Sequence, residues 1–163
     1  MTSLKSPLLA ILGALGLTAC GSSAVPTAPS TVGLSADARN AIQVAIGDEY
    51  RAETIYSGVV GDFGPLPPFV NVLSAEQRHS TSLAQLLTQR GLTAPGNGWT
   101  VSSVPHFGSI PEACRAAAVA ERDNISMYDR LLPLELPADV RQVFTNNRRA
   151  SLVNHLPAFE SCS

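Results

Sequence analysis

Ser74-Ala75-Glu76-Gln77-Arg78-His79 is the stretch around which the rest of the chain can be read. On a helix, Glu76 and His79 lie three residues apart on one face, so a carboxylate and an imidazole reach the same point. Such a pair also occurs on many solvated helix faces, so its weight depends on what the flanking sequence brings beside it. Immediately around it, Phe69, Val72, Leu73, Leu83, Leu86 and Leu87 form an apolar stripe that includes both residues. Pro67-Pro68 suits the first turn of this helix, and Gly91 after Arg90 suits its end.

Upstream, Ser35 offers an N-cap and Asp37 a first-turn negative charge. From there Ile42, Ala45, Ile46, Glu49, Ala52, Glu53 and Tyr56 share a face, which predicts a helix over 36–60. Downstream, residues 91–109 contain Pro95-Gly96-Asn97-Gly98 and Pro105 and predict a long connection without regular structure, with Trp99 pinning it to the helices. Ser109-Ile110-Pro111-Glu112 opens a third helix to about 132, with Ala116, Ala117, Ala120, Glu121, Asn124, Met127, Tyr128 and Leu131 inward. After a short turn bracketed by Pro133 and Pro137, a fourth runs over 137–160, with Val140, Val143, Phe144, Leu152, His155 and Phe159 inward. Pro157 should bend or fray its last turn. The expectation is an all-α four-helix bundle over 35–163, with its long connection between helices 2 and 3.

The first nineteen residues have a different character. Lys5 precedes a short apolar run from Leu8 to Leu17, too short for a spanning helix and suited to a signal peptide. Leu17-Thr18-Ala19-Cys20 resembles the lipobox of bacterial lipoproteins, which implies an acylated Cys20 as the mature N-terminus. Residues 20–34, small, polar and proline-containing, then form a tether between lipid and bundle. The implied place is the bacterial cell envelope, with a membrane as partner through the lipid. Thirteen acidic residues stand against eleven basic ones, of which Lys5 is the only lysine. That mild balance, without a basic stripe, points away from nucleic acid.

Export also bears on Cys114 and Cys162, since a compartment outside the cytoplasm permits a disulfide. A short turn makes helices 3 and 4 antiparallel, which brings the start of one toward the end of the other. Straight helices rising 1.5 Å per residue would miss closure by roughly 10 Å. The pairing therefore requires the chain after Pro157 to fold back.

Each of the four helices brings a candidate ligand near its middle: Glu49 and Glu53, then Glu76 and His79, then Glu121, then His155. A carboxylate in an apolar stripe costs several kcal/mol unless it is paired or binds a cation. With Glu49–Tyr56, Ser74–His79, Glu121–Tyr128 and Ser151–Phe159, the chain resembles the ferritin-like superfamily, and rubrerythrins in sequence texture. That resemblance implies iron or manganese, with Glu49 as a terminal ligand, Glu76 as a bridge, Glu121 as the helix 3 glutamate, and His79 and His155 completing the set. It also implies oxidoreductase chemistry toward oxygen or peroxide. One departure stands out: Leu152 occupies the place of the glutamate expected three residues before His155, so the second metal position is less well supplied. Glu53 and Asn124 are the available substitutes. The same residues also suit a metal-free bundle in which Arg78, Arg122 or Arg148 neutralises the glutamates. Tyr56 and Tyr128 are expected as core tyrosines bonded to carboxylates, and His106 as a solvated loop residue.

Overall fold

The computed structural model describes residues 33–163. The expected signal peptide, Cys20 and most of the expected tether lie outside the described residues. The described chain is all-α, with no strand. Helix α1 spans Ala36–Phe63, α2 Phe69–Thr88, α3 Ile110–Leu131, α4 Ala138–Ala150 and α5 Leu156–Glu160. A π-helical turn, Ser151–His155, joins α4 to α5, so these two form one long rod.

The termini follow local chemistry. Ser35 Oγ accepts from the Ala38 N–H at 3.0 Å and Ser109 Oγ from the Glu112 N–H at 3.3 Å, each satisfying an unpaired first-turn donor. Gly64 ends α1 at φ 89°, a conformation that suits glycine. Leu66 and Pro67-Pro68 precede α2, which begins two residues after Pro67.

The core is two apolar clusters separated by a polar layer. One holds Ile42 and Ile46 of α1, Leu83 and Leu87 of α2, Tyr128 of α3 and Phe144 of α4. The other holds Val59 of α1, Phe69 of α2, Ala117 of α3 and Phe159 of α5. The ends of α1 and the starts of α2 and α3 share the second cluster, so α2 and α3 run in the same direction. Residues 89–109 therefore return along the length of the bundle. They contain one short 3-10 turn, Val101–Ser103, where the sequence predicted no regular structure. The return is fastened to α1: Trp99 Nε1 donates to Gly47 O at 3.2 Å, Tyr50 Oη donates to Pro95 O at 3.2 Å, and Asn97 Nδ2 donates to Thr54 Oγ1 at 3.2 Å.

The fourth rod differs from expectation. Pro157 neither frays it nor ends it. A proline ring in a regular α-helix collides with the carbonyl four residues back and removes a hydrogen bond. The wider turn just before Pro157, closed by the Leu156 N–H to Ser151 O, absorbs that misfit and lets the helix continue to Glu160. Two turns on from Phe144, the inward position is Ser151 and not Leu152. Leu152, predicted inward, is 41% exposed, while Ser151 is fully buried.

Cys114 and Cys162 form a disulfide with their Cα atoms 5.8 Å apart. Residues 161–162 turn back after α5 and deliver Cys162 to the first turns of α3.

Candidate metal centre

Between the two apolar clusters lie Glu49, Glu76, Glu121 and His155, each at most 4% exposed, with His79 partly exposed beside them. They come from α1, α2, α3 and the π turn. Glu76 divides its carboxylate between two imidazoles. Its Oε2 stands 2.8 Å from His79 Nδ1, and its Oε1 stands 2.9 Å from His155 Nδ1. Glu49 Oε2 lies 3.5 Å from His79 Nδ1, and Glu121 Oε2 lies 3.4 Å from His155 Nδ1. Two groups of three donors result, Glu49–Glu76–His79 and Glu76–Glu121–His155, each with its donor atoms within 4.8 Å of one another. Glu76 is common to both, and the two rings stack at 5.4 Å between centroids.

Two tyrosines brace the outer glutamates crosswise. Tyr128 of α3 donates to Glu49 Oε1 at 2.5 Å, and Tyr56 of α1 donates to Glu121 Oε1 at 2.7 Å. Each tyrosine follows the other glutamate of its own helix by seven residues, so the same face of α1 and of α3 carries both groups. Asn147 Nδ2 donates to Tyr128 Oη at 3.1 Å. The bracing leaves Glu49 Oε2 and Glu121 Oε2 buried without a hydrogen bond. His155 Nδ1 is also unsatisfied, because it is near Glu76 Oε1 but not aligned with it. Buried polar atoms left so are costly, and here each lies within one of the two groups of donors. Two carboxylate oxygens and one imidazole nitrogen at each point suit a first-row divalent metal.

The electrostatics are those of a buried cluster in which carboxylates and imidazoles hold one another's charge. Burial, and then the charge of Glu76, push Glu49 up to about 7. Burial pulls Glu76 upward as well, but His155 and His79 prevail and hold it below its ordinary value. Burial opposes charge on His79 and His155, yet Glu49 with Glu76 raises the former to about 10, and Glu121 with Glu76 raises the latter to about 9. Tyr56 and Tyr128, raised well above their ordinary value by burial, stay neutral donors. A consequence concerns the metal-free protein. Both histidines bind protons more tightly when folded than at the unfolded value of about 6.5. Their stabilisation is therefore complete below that pH and lost as pH rises through about 9 and then about 10. Thermal melts in chelator should show Tm falling steadily from pH 7 to pH 10. A flat profile would show that the imidazoliums contribute nothing.

Of the six residues singled out from sequence, five meet here. Glu53 does not. It accepts a short hydrogen bond from Ser80 and faces a groove between α1 and α2 lined also by Thr54, Gln77 and Trp99. At one turn beyond Glu49 it sits further round α1 than the stripe suggested. The arginines also fall elsewhere: Arg78 donates to Ser74, Arg122 pairs with Glu160 and Arg148 with Asp129. His106 pairs with Asp62 at the surface, 2.8 Å away. Asn124, expected as a substitute ligand, instead joins Asp48 to Ser151, and Asp48, Ser151 and Asn147 had no assigned part. Ser151 donates to Asn124 Oδ1 at 2.8 Å, Asn124 Nδ2 donates to Asp48 Oδ2 at 2.8 Å, and Asn147 supports Tyr128. The spacing Asn147, Ser151, His155 is the signal that could have found two of them, since it puts one polar residue per turn on a single face.

Comparison with protein-family models gives no match, and comparison with curated proteins gives none. Among solved structures, the chain is similar to a conserved hypothetical protein of Mycobacterium tuberculosis, Rv2844. The TM-score is 0.64 at 20% identity, covering 79% of this chain and 98% of the other. The likeness is one of fold.

The crosswise tyrosines make a further measurable claim. Groups that orient a metal ligand typically change affinity by about 10–100-fold when removed. Tyr128→Phe should weaken the position at Glu49 by that factor and leave the position at Glu121 unchanged, and Tyr56→Phe should do the reverse. Competitive titration against a chelator resolves the two steps. Equal weakening of both steps by either variant would contradict the assignment.

Proposed function

We propose that this chain is a ferritin-like metal protein holding two iron or manganese ions, one at each group of three donors, with Glu76 between them. The observation that carries the reading is the shared carboxylate with orphaned oxygens on both outer glutamates. Among the described residues, the ion pairs of Glu49, Glu76 and Glu121 are with His79 and His155 and with no arginine. Where the superfamily pattern has a second bridging glutamate, the inward residue is Ser151, whose hydroxyl is engaged by Asn124. Iron or manganese bound here supplies redox chemistry toward oxygen or peroxide, the activity we infer. The chain's own residues hold and orient the donors: Tyr56 and Tyr128 fix the outer glutamates, and the apolar clusters keep bulk water from either end. Metal analysis of the purified domain, followed by spectroscopy of the iron-loaded form on adding peroxide, tests this. A folded domain that takes up no metal would instead be a structural bundle.

The same reading places the protein at the cell envelope, on the strength of Lys5, the apolar run and the Leu17–Cys20 sequence. Among the described residues, no helix is long and apolar enough to cross a membrane. Anchoring would rest on lipid at Cys20, and stable attachment needs more than one acyl chain. The protein should partition into detergent, and Cys20→Ser should move it to the aqueous phase. Equal partitioning of the two would rule out the anchor.

A further inference from the structure

A small opening leads from the surface to the centre between α1 and α3. It is lined at its floor by Glu76 and Glu121, along its walls by Ala52 and Ala120, and near its mouth by Asp48 and Asp123. Its volume is about 20 Å³, room for one water-sized particle. Glu121 is 2% exposed and its unsatisfied Oε2 belongs to the residue that forms this floor. Apolar clusters close both ends of the bundle and the Glu53–Ser80 contact lies on the α2 side of α1, while His79 is 13% exposed on its own side.

Asp48 is the best-prepared group at the mouth. Asn124 holds its Oδ2 and is itself held by Ser151, so the carboxylate is fixed in position before any ion arrives. Arg51, the cation on the same rim, lies with its guanidinium 6.0 Å from the Trp99 ring centroid, and its charge also acts on Asp48.

We propose that the α1–α3 opening is the path by which divalent cations reach the centre, with Asp48 as the carboxylate that receives them and passes them to Glu121 and Glu76. The proposal rests on the metal reading above. A receiving carboxylate acts on rate, because charge at a narrow mouth raises local cation concentration and speeds association. It leaves the final occupancy to the five inner donors.

The test is cobalt(II) uptake by the metal-free domain, with free cobalt followed by a chromophoric chelator after rapid mixing. Asp48→Asn, nearly isosteric, should slow uptake roughly tenfold and reach wild-type occupancy. Ala120→Phe, which fills the wall, should slow it further, and Glu53→Gln, in the groove on the α2 side, should keep the wild-type rate. Wild-type kinetics in Asp48→Asn at full occupancy would overturn the path while leaving the centre intact. A wild-type domain that takes up no cobalt would overturn both.

Discussion

Glu76→Ala should leave the chain unable to hold a metal ion at either position. Glu76 is the one residue in both donor groups, with one oxygen toward each imidazole. Loss of a merely supporting group typically costs about 10–100-fold in affinity, and loss of a direct donor shared by two ions should exceed that at both. Glu49→Ala and Glu121→Ala should each empty one position and spare the other. Glu76→Gln separates charge from shape, since it keeps the volume and removes the anion. Metal content per chain, with circular dichroism to establish that each variant is folded, gives the answer. Wild-type loading of Glu76→Ala would end the bridging assignment.

The second large effect concerns Cys114 and Cys162. The bond closes a segment of separation 48, for which restriction of the unfolded chain contributes about 4 kcal/mol. Cys114 is fully buried in the cluster with Phe69 and Phe159. Paired replacement by serine would also put a hydroxyl in that apolar setting, an added cost of about 1–3 kcal/mol. Paired replacement by alanine isolates the cross-link, and for a domain of this size Tm should fall by on the order of 10 °C. Melting of the oxidised domain against the double alanine variant measures it. Equal Tm values would mean the reduced chain is already restrained at that end.

Much of this architecture is legible in the residues themselves. Ser35 and Ser109 mark helix starts, the apolar stripes mark inward faces, and Gly64 and Gly91 lie where helices stop. Glu49, Glu76, His79, Glu121 and His155 stand out because a charge inside an apolar stripe needs a partner. The departures have two kinds of cause. Ser151, two turns after Phe144, takes the inner position that counting back three residues from His155 assigns to Leu152. Glu53 lies on the edge of the stripe, and the position of Ser80 on a neighbouring helix decides which way it turns. Asp48 is adjacent in sequence to Glu49 but faces the α1–α3 seam, and its role depends on Asn124 across that seam. Such partners are set by tertiary packing and cannot be read along a single helix.

If the centre holds metal as proposed, the crossed bracing by Tyr56 and Tyr128 bears on when the ions would be acquired. The α1–α2 pair carries Glu49, Glu76 and His79 but lacks the Tyr128 brace, and the α3–α4 pair needs both Glu76 and Tyr56. A half-assembled chain would therefore offer one unbraced group, and the free energy of completing the centre would be drawn from the final docking of the two halves. The ions held would then be those abundant where that docking occurs. If the chain crosses a membrane before it folds, the metal supply on the far side, rather than that of the compartment where it was synthesised, determines what the centre contains.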